Sequence, residues 1–310
     1  MCLDISEIED ANKNVGRCMQ KLLVVGAAVM DCVYTLDELP VAAEKFRAKS
    51  LALRGGGTAA TAAVTARRLG IDVALAARVG DDFFGDAIVD ELQNESVDCK
   101  LVRKCPGCRS SVSAVMIDSR GERMLVNFKD SNIDSGTDWL PQKLPSEIHG
   151  VLGDHHWEAG TEHLFRLARE AGKPAILDAD RQTSMSILAS ATHIGFSARG
   201  LREQSGIESL PEALAWCQTQ VPGWLAVTDG ENGALFTEEG GIAHEPALKV
   251  LAVDTNGAGD VWHGALAVAL LEGQEPRKAV RFANAAASIK CSRDGGRSAI
   301  PTQSEVAAFL

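Results

Sequence analysis

The sequence predicts an α/β fold in which helices cover both faces of a mostly parallel central sheet, with a small additional β layer. Short apolar runs alternate with segments of helical length through the second half of the chain, as in parallel strands joined by crossover helices. Two stretches, about 31–54 and about 100–129, instead alternate polar and apolar residues without helical periodicity. We therefore predict a tail over residues 1–20 and one domain over 21–310, into which these two stretches are inserted as a lid.

The first half of the chain gives the following elements in order. The continuous apolar run 21–28 predicts a buried parallel strand, and the alternating segments 31–39 and 45–53 predict half-exposed strands. Three glycines then precede a helix of small residues over 58–69, and Asp81 and Asp82 begin a second helix that runs to about residue 95. Further strands are predicted at 73–79, 100–103, 110–118 and 122–128.

In the second half, short runs rich in β-branched and aromatic residues alternate with longer amphipathic or apolar segments. Strands are predicted at 151–154, 175–179, 193–196 and 224–228, and helices at 161–171, 210–220, 258–271 and 276–291. Polar and glycine residues follow several of these strands. An open parallel sheet binds ligands beyond the carboxyl ends of its strands, so the functional site is expected at that edge.

Composition excludes several classes of protein. The formal net charge is −11 and the pI is about 5.2, which disfavours nucleic acid or an anionic membrane as a partner. No uncharged apolar run is long enough to span a membrane, and the N-terminal segment lacks the apolar core of a secretory signal. Eight scattered cysteines in a chain of this length are typical of reduced thiols, so we expect a cytoplasmic protein. Cys105 and Cys108 have redox or half-zinc-site spacing, but their Pro-Gly linker favours a plain turn.

The most informative segment is Asp254-Thr255-Asn256-Gly257-Ala258-Gly259-Asp260. The preceding run 247–253 is expected to be a strand, and the helix predicted at 258–271 begins within the segment. A glycine turn at a helix start offers free N–H groups to an anion. The Asp260 carboxylate would repel that anion, so its position needs an explanation. It is explained if Asp260 takes a proton from a hydroxyl while the turn holds a transferring phosphoryl group. The competing interpretation is an ordinary acidic helix cap.

This segment resembles the C-terminal signature of the ribokinase-like (PfkB) carbohydrate kinases, and residues 55–70 (GGGTAATAAVTARRLG) resemble their first signature. The resemblance spans the chain from Lys21 to about Leu310. It implies a ribokinase-like three-layer core with a β-sheet lid, ATP with Mg²⁺, and phosphoryl transfer to a hydroxymethyl group. Asp260 would be the base, and Gly257, Ala258 and Gly259 would form the anion hole with Asn256. It also implies a monovalent cation such as K⁺ at Asp254.

The resemblance implies further binding residues. Asp31, Gly56, Gly57 and Thr61 would contact the sugar, although most family members carry Asn where Thr61 stands. Thr228, Gly230, Gly233, Asn256 and Asn284 would contact the nucleotide. The Asn-x-x-Glu motif that the family often has near its metal is replaced by Ser197-Ala198-Arg199-Gly200. Asp178 and Asp180 are therefore proposed to hold metal-bound water.

Residues 55–61, 254–270 and 290–297 also resemble the 6-deoxy-6-sulfofructose kinase branch of this family. In that branch a Lys, an Asn and an Arg read the sulfonate. Lys45 and Asn127 match the first two, His156 stands where the Arg aligns, and Arg109 is a candidate to compensate. The expected substrate is thus a ketohexose-type sugar, with 6-deoxy-6-sulfofructose as one candidate.

Several alternatives stay open. Fructose, tagatose, ribose or a nucleoside such as adenosine are other acceptors for this family. A nucleoside would need an aromatic-lined pocket for its base, and the predicted lid contains few aromatic residues. The missing Asn-x-x-Glu motif favours a non-catalytic sugar- or nucleotide-binding regulator, whereas the intact Gly-Ala-Gly-Asp segment opposes it. A dinucleotide-binding protein is a weaker alternative, because no G-x-G-x-x-G follows the first strand. A P-loop kinase is not expected, because the P-loop motif is absent. Exposed edges of the lid strands predict a homodimer through the lid.

Overall fold

The computed structural model of the chain describes residues 20–310, so nearly all of the predicted tail over residues 1–20 lies outside the described residues. Two sheets contain thirteen strands between them in this part of the chain. In chain order these are β1 (Lys21–Gly26), β2 (Val29–Thr35), β3 (Ser50–Gly56), β4 (Asp72–Gly80), β5 (Asp98–Cys105), β6 (Val112–Ile117), β7 (Arg123–Phe128), β8 (Gly150–Asp154), β9 (Ala175–Ala179), β10 (His193–Ser197), β11 (Trp224–Thr228), β12 (Ala234–Glu238) and β13 (Gly241–Glu245).

The helices of the described residues lie mainly in the crossovers between these strands. They are α1 (Thr58–Arg68), α2 (Phe83–Asn94), α3 (Glu158–Glu170), α4 (Met185–Ser190), α5 (Ala198–Ser205), α6 (Leu210–Gln220), α7 (Ala258–Leu271), α8 (Pro276–Cys291) and α9 (Gln303–Ala307). Apart from Asp260 and His263, helix α7 is apolar on every side, which is typical of a helix buried against α1 and α8. None of the helices within residues 20–310 is long and apolar enough to cross a membrane.

The large sheet has the strand order β13-β12-β11-β10-β9-β8-β1-β4-β5. Neighbours pair in parallel from β11 to β5, and only the β11–β12 and β12–β13 pairs are antiparallel. One apolar core joins α1, α2, α7 and α8 to one face of this sheet, and a second joins α3, α4, α5 and α6 to the other face. The predicted three-layer α/β core with a mostly parallel sheet is therefore confirmed.

A separate four-stranded sheet has the order β3-β2-β6-β7. Its strands come from both stretches predicted to form the small β layer. The stretch predicted from about residue 100 begins too early, however. Strand β5 forms the edge of the large sheet, where it pairs in parallel with β4. Cys105 and Cys108 end that strand in the predicted turn, with the Cys108 N–H 3.2 Å from the Cys105 carbonyl oxygen.

Three other differences from the sequence prediction have physical causes. The run 247–253 is not a strand, and Leu251 is 85% exposed there, so β-branched composition alone was misleading. Residues 45–49 are likewise irregular. The hairpin of β12 and β13 and the short helices α4, α5 and α9 escaped prediction, because segments of five to eight residues carry little periodicity.

Candidate active site

Two cavities open on opposite sides of the turn over residues 255–259, which leads into the first residues of α7. The first, about 310 Å³, is walled by the small sheet, the start of α1 and the residues that follow β8, and is termed the sugar-side cavity. The second, about 660 Å³, lies beyond β11 and against α8, and is termed the nucleotide-side cavity. Asn256, Gly257 and Asp260 line the first cavity, whereas Thr255, Ala258 and Gly259 line the second. The turn therefore separates two binding spaces and is accessible from both.

Within residues 256–259, the backbone leaves two N–H donors available. Gly257 has a φ of 73°, a left-handed conformation that favours glycine, and immediately precedes α7. The Asn256 N–H donates to Oδ1 of Asp254 (3.0 Å) and the Ala258 N–H to the Thr255 carbonyl oxygen (3.2 Å). The N–H groups of Gly257 and Gly259 have no acceptor among the described residues. Of the four residues predicted to form the anion hole, 256–259, only Gly257 and Gly259 therefore offer a free N–H group, and both lie at the positive end of α7.

Asp260 follows directly in the first turn of α7, and its side chain lines the sugar-side cavity. Burial raises the pKa of the Asp260 carboxyl well above its ordinary value, and the negative charge of Asp178 raises it further. The positive charge of His263 opposes this shift. A carboxyl with a raised pKa is a stronger base than an exposed aspartate, which suits proton abstraction from a hydroxyl.

His263 was missed by sequence reasoning, although it lies one helical turn after Asp260. Its Nδ1 lies 2.8 Å from the Gly259 carbonyl oxygen and 3.0 Å from Oδ2 of Asp178, and its Nε2 lies 3.0 Å from the Gly195 carbonyl oxygen. Because every neighbour is an acceptor, both ring nitrogens must carry protons. Burial lowers the pKa of His263, but the Asp178 carboxylate and the two carbonyls more than compensate and raise it to about 9.

The floor of the sugar-side cavity joins α1 to the small sheet. Asp31 on β2 lines the cavity, and burial raises the pKa of its carboxyl despite a hydrogen bond with Ser113. A Cβ at Gly56 would lie 2.5 Å from Oδ2 of Asp31, so only glycine leaves the carboxylate its present position. Thr61 also lines the cavity, but its Oγ1 accepts a hydrogen bond from Nε of Arg297 at 3.3 Å.

Arg297, another residue that sequence reasoning did not single out, is only 5% exposed. Its Nη2 donates to the Gly56 carbonyl oxygen (2.6 Å) and its Nη1 to Oε2 of Glu91 (2.9 Å). The guanidinium therefore fixes the glycine segment and supplies positive charge beside Asp31 and Asp260. Its place in the sequence, 236 residues from Thr61, gives no local signal of this role.

Asp154 organises the opposite wall. This buried carboxylate, at the end of β8, accepts from the N–H groups of Ala27 (2.8 Å), Ala59 (3.1 Å) and His156 (2.8 Å). It thereby ties the segment after β1, the start of α1 and the segment after β8 to one another. Gly26 must be glycine at this point, because a Cβ would lie 2.2 Å from the carboxylate.

The remaining residues predicted to bind the sugar divide into two groups. Gly57, Asn127 and His156 line the sugar-side cavity. Lys45 and Arg109 do not; Lys45 lies exposed in the irregular segment before β3. The backbone N–H of Arg109 donates to Oδ2 of Asp130, and Arg109 is not one of the residues that line the cavity. Of the predicted sulfonate-binding set, the cavity lining contains Asn127 and His156 but neither Lys45 nor Arg109.

Four of the five residues predicted to bind the nucleotide line the second cavity, whereas Asn256 lines the sugar-side cavity instead. Thr228 is the last residue of β11, Gly230 begins a short 3₁₀ turn after this strand, and Gly233 follows that turn. Asn284 on α8 also borders this space, but its polar atoms are engaged: Oδ1 accepts from Nε1 of Trp262 (2.8 Å) and Nδ2 donates to the Glu245 carbonyl oxygen (2.9 Å). Because Nδ2 also donates to the Pro246 carbonyl oxygen (3.2 Å), Asn284 has no free donor for a nucleotide in this arrangement.

Asp254 does not have the surroundings of a monovalent-cation ligand. Its Oδ1 accepts from Nη2 of Arg123 on β7 (2.7 Å), and its Oδ2 lies 3.2 Å from Nζ of Lys290 on α8. Burial raises the pKa of Asp254, but the Asn256 N–H and the two cations lower it below its ordinary value. The residues present thus do not fit a K⁺ ion at this position, because two side-chain cations already share the carboxylate.

Carboxylates that could hold Mg²⁺ are present at the end of β9. Asp178 and Asp180 lie close enough to Asp260 to raise its pKa, so the region carries an excess of negative charge. Asp180 also lies beside His155 and His156. The potential metal-binding atoms of these three residues all lie within 4.8 Å of one another. Oxygen ligands and excess negative charge suit Mg²⁺, so the residues present fit this ion.

A buried carboxyl beside a glycine turn with free N–H groups, between a smaller and a larger cavity, defines the class of small-molecule phosphotransferases. Residues 19–303 match the model of the pfkB family carbohydrate kinases, and the chain therefore belongs to that family. It is a carbohydrate kinase that uses ATP. The broad resemblance found in the sequence is confirmed.

Individual relatives agree. A ribokinase of Bacillus subtilis is 29% identical over 297 residues, covering 94% of this chain and all of the relative. A deoxyribokinase of Salmonella typhi is 24% identical (93% and 98% covered), and an ATP-dependent ribose-1-phosphate kinase of Halopiger xanaduensis is 28% identical (94% and 98% covered). None of these three is a 6-deoxy-6-sulfofructose kinase by name, so the finer resemblance is not supported.

Solved structures show the same fold. A candidate ribokinase of Agrobacterium tumefaciens superposes with a TM-score of 0.87 at 32% identity, covering 94% of this chain and 97% of that one. A ribokinase of Arabidopsis thaliana, solved with ribose and ATP, has a TM-score of 0.80 at 24% identity, with 94% and 98% covered. The ribokinase-like architecture with a separate small sheet is thus confirmed.

Proposed function

We propose that this kinase phosphorylates the primary hydroxyl of a sugar held in the sugar-side cavity, with Asp260 as base. The observation that carries the proposal is the position of the turn before α7, which is open to both cavities and has free N–H groups at Gly257 and Gly259. A phosphoryl group at this turn can pass from the nucleotide side to the sugar side.

In the reaction, the primary hydroxyl gives its proton to the Asp260 carboxylate. The hydroxyl oxygen forms a bond to the γ-phosphorus as the bond between that phosphorus and the β–γ bridging oxygen breaks, and ADP leaves with the electron pair. The Gly257 and Gly259 N–H groups donate to the transferring oxygens, assisted by the dipole of α7. The products are the sugar phosphate, ADP and the protonated Asp260.

The sugar is oriented by the polar side chains of the cavity. Asp31 can accept hydrogen bonds from two hydroxyls, and Asn127 on β7 can donate or accept. Thr61, whose Oγ1 already accepts from Arg297, has less capacity to bind the sugar than the Asn it replaces. We infer that Asp31 carries most of the hydroxyl recognition in this chain.

Mg²⁺ would be held near Asp178 and Asp180, directly or through water. When bound, it would neutralise charge on the phosphate oxygens. Asp178 is ion-paired with His263 and Asp180 with His155, each at 3.0 Å. Asp180 is the more exposed of the two carboxylates and is therefore the better candidate for contact with the ion.

The small sheet would act as a lid that excludes water from the transferring group. Its inner face carries Asp31, Ser113 and Asn127 against the cavity, and Arg123 reaches from β7 to Asp254 at the start of the turn. The lid and the anion hole are thus joined by one ion pair.

The other face of the small sheet supports the homodimer predicted from the sequence. Strand registers place side chains of all four strands on this face, and those on the two outer strands are 38–59% exposed: Leu51, Leu53, Met124, Val126 and Phe128. A contiguous apolar face of this kind is typical of an interface. We propose that two copies of the chain pack through it.

A second candidate substrate is a sugar that carries an anionic group. Arg78 and Lys129 line the sugar-side cavity beside His156, and neither cation has a carboxylate partner within 4.0 Å among the described residues. Nε of Arg78 is buried without a hydrogen-bond partner. These three side chains could bind a phosphate, carboxylate or sulfonate.

The test is ADP release with MgATP over a panel of neutral and anionic acceptors. The panel comprises ribose, deoxyribose, fructose, tagatose, ribose 1-phosphate, fructose 6-phosphate, 6-deoxy-6-sulfofructose and adenosine. Turnover of a neutral sugar supports the main proposal, and selective turnover of an anionic sugar supports the second. In the second case, replacing Lys129 with Met should raise KM for the anionic sugar. Turnover of adenosine alone would contradict both.

A further inference from the structure

A buried lysine ammonium lies immediately behind the anion hole. Lys290, near the end of α8, is 1% exposed. Its Nζ donates to the Asp254 carbonyl oxygen at 2.9 Å and lies 3.2 Å from Oδ2 of the same residue. Asp254 leads directly into the turn, and its other carboxylate oxygen accepts the Asn256 N–H at 3.0 Å. The lysine is therefore linked to the turn through one residue.

The charge at this position is positive overall. Arg123 and Lys290 both contact Asp254, so two positive charges and one negative charge leave +1 among these three side chains. The ammonium is held by a carbonyl as well as by the carboxylate, as a buried charge requires. A fixed positive charge next to the residue that leads into the turn strengthens the attraction of the Gly257 and Gly259 N–H groups for an anion.

The position also leaves no place for an external cation. A K⁺ ion needs several oxygen ligands, and here the Asp254 carbonyl oxygen and Oδ2 are both occupied by Nζ of Lys290. An ion bound to the same oxygens would lie within a few ångströms of the ammonium in a partly buried environment, where like charges repel strongly.

We propose that Lys290 is a built-in cation that positions and polarises the anion-hole turn, so that phosphoryl transfer by this chain needs no monovalent metal ion. The inference rests on the proposed function of the turn. Lys290 is a positioning residue, since it acts on the transferring group through Asp254 and the backbone.

The test compares wild-type kcat in potassium, sodium and choline chloride at matched ionic strength. Equal rates in all three salts are expected. A several-fold rise specific to potassium would overturn the proposal. The melting temperature in the same three salts should also coincide, because no ion binds at Asp254. This second measurement needs no sugar, so it still tests the proposal if every acceptor in the panel fails.

Variants at residue 290 give the complementary result. Lys290→Ala should lower kcat at least about tenfold, and potassium should restore part of the loss where choline does not. Lys278→Ala removes an exposed lysine from the same helix and should change nothing. If Lys290→Ala does not fold, Lys290→Met keeps the side-chain bulk without the charge. A folded Lys290 variant with wild-type kcat in choline would contradict the role of the ammonium.

Discussion

Nδ1 of His263 lies 3.0 Å from Oδ2 of Asp178, and both side chains are buried beneath Asp260. The two carbonyl acceptors of the imidazole require its doubly protonated form, and Asp178 balances the charge. The pair therefore supports the first turn of α7 and also moderates the electrostatics of the base. A kinase with three nearby aspartates needs such a counter-charge.

The raised pKa of His263 predicts that stability declines at alkaline pH. Its pKa is about 9 in the folded chain, above the ordinary 6.5. The stabilisation is fully present below about pH 6.5 and is lost as pH rises through about 9, with a size on the order of 3 kcal/mol. Melting temperatures from pH 6 to 10 should fall for the wild type, and His263→Asn should flatten that fall. The exposed His244 provides a control, since His244→Asn should retain the wild-type slope.

The raised pKa of Asp260 predicts an early acid limb in the pH profile of kcat/KM. The base acts only when ionised, so activity falls as pH drops through a pKa well above that of an ordinary aspartate. Asp178→Asn removes a negative charge that raises this pKa, and should move the limb to lower pH. Asp138→Asn, at an exposed position, should leave the profile unchanged. A limb unmoved in Asp178→Asn would show that another group titrates.

The close approach of Gly56 to Asp31 predicts a specific effect on sugar binding. In Gly56→Ala the new Cβ would lie 2.5 Å from Oδ2 of Asp31, so the carboxylate must move. We expect KM for the sugar to rise roughly tenfold, the cost of losing one good hydrogen bond. KM for ATP is the internal control and should stay unchanged, because Gly56 does not line the nucleotide-side cavity. An equal rise in both constants would contradict a specific effect on the sugar side.

The exposed apolar face of the small sheet predicts a dimer that one charge can dissociate. Val126 is 59% exposed at the middle of β7. Light scattering should give twice the chain mass for the wild type and one chain mass for Val126→Asp. Leu251→Asp changes an exposed leucine outside this sheet and should remain dimeric. A wild type of one chain mass would refute the interface.

The sequence was sufficient for the main architecture because its central strands and longer helices carry strong local patterns. Helices α6, α7 and α8 and strands β9 and β11 have the predicted bounds. Asp260 and the glycine turn were found because their chemistry is contiguous in sequence. The strand predicted at 247–253 was wrong, since an apolar run before a glycine turn need not pair with a sheet.

What could not be predicted depends on long-range contacts. Arg297 and Thr61 are 236 residues apart, and Arg123 and Asp254 are 131 apart. No local pattern brings such residues together. Lys45 was assigned to the sugar from the family resemblance alone, and it does not line the sugar-side cavity. The surroundings of Asp254 could not be predicted for the same reason, because Arg123 and Lys290 reach this carboxylate from β7 and α8.

The most direct test of the central claim is kcat of Asp260→Asn with MgATP and the best acceptor of the panel. Asparagine is nearly isosteric but cannot take the hydroxyl proton, so kcat should fall at least about 10²-fold. Circular dichroism and the melting temperature should show an intact fold, and KM for both substrates should change little. Near-normal turnover by a folded Asp260→Asn would contradict the assignment of Asp260 as the base.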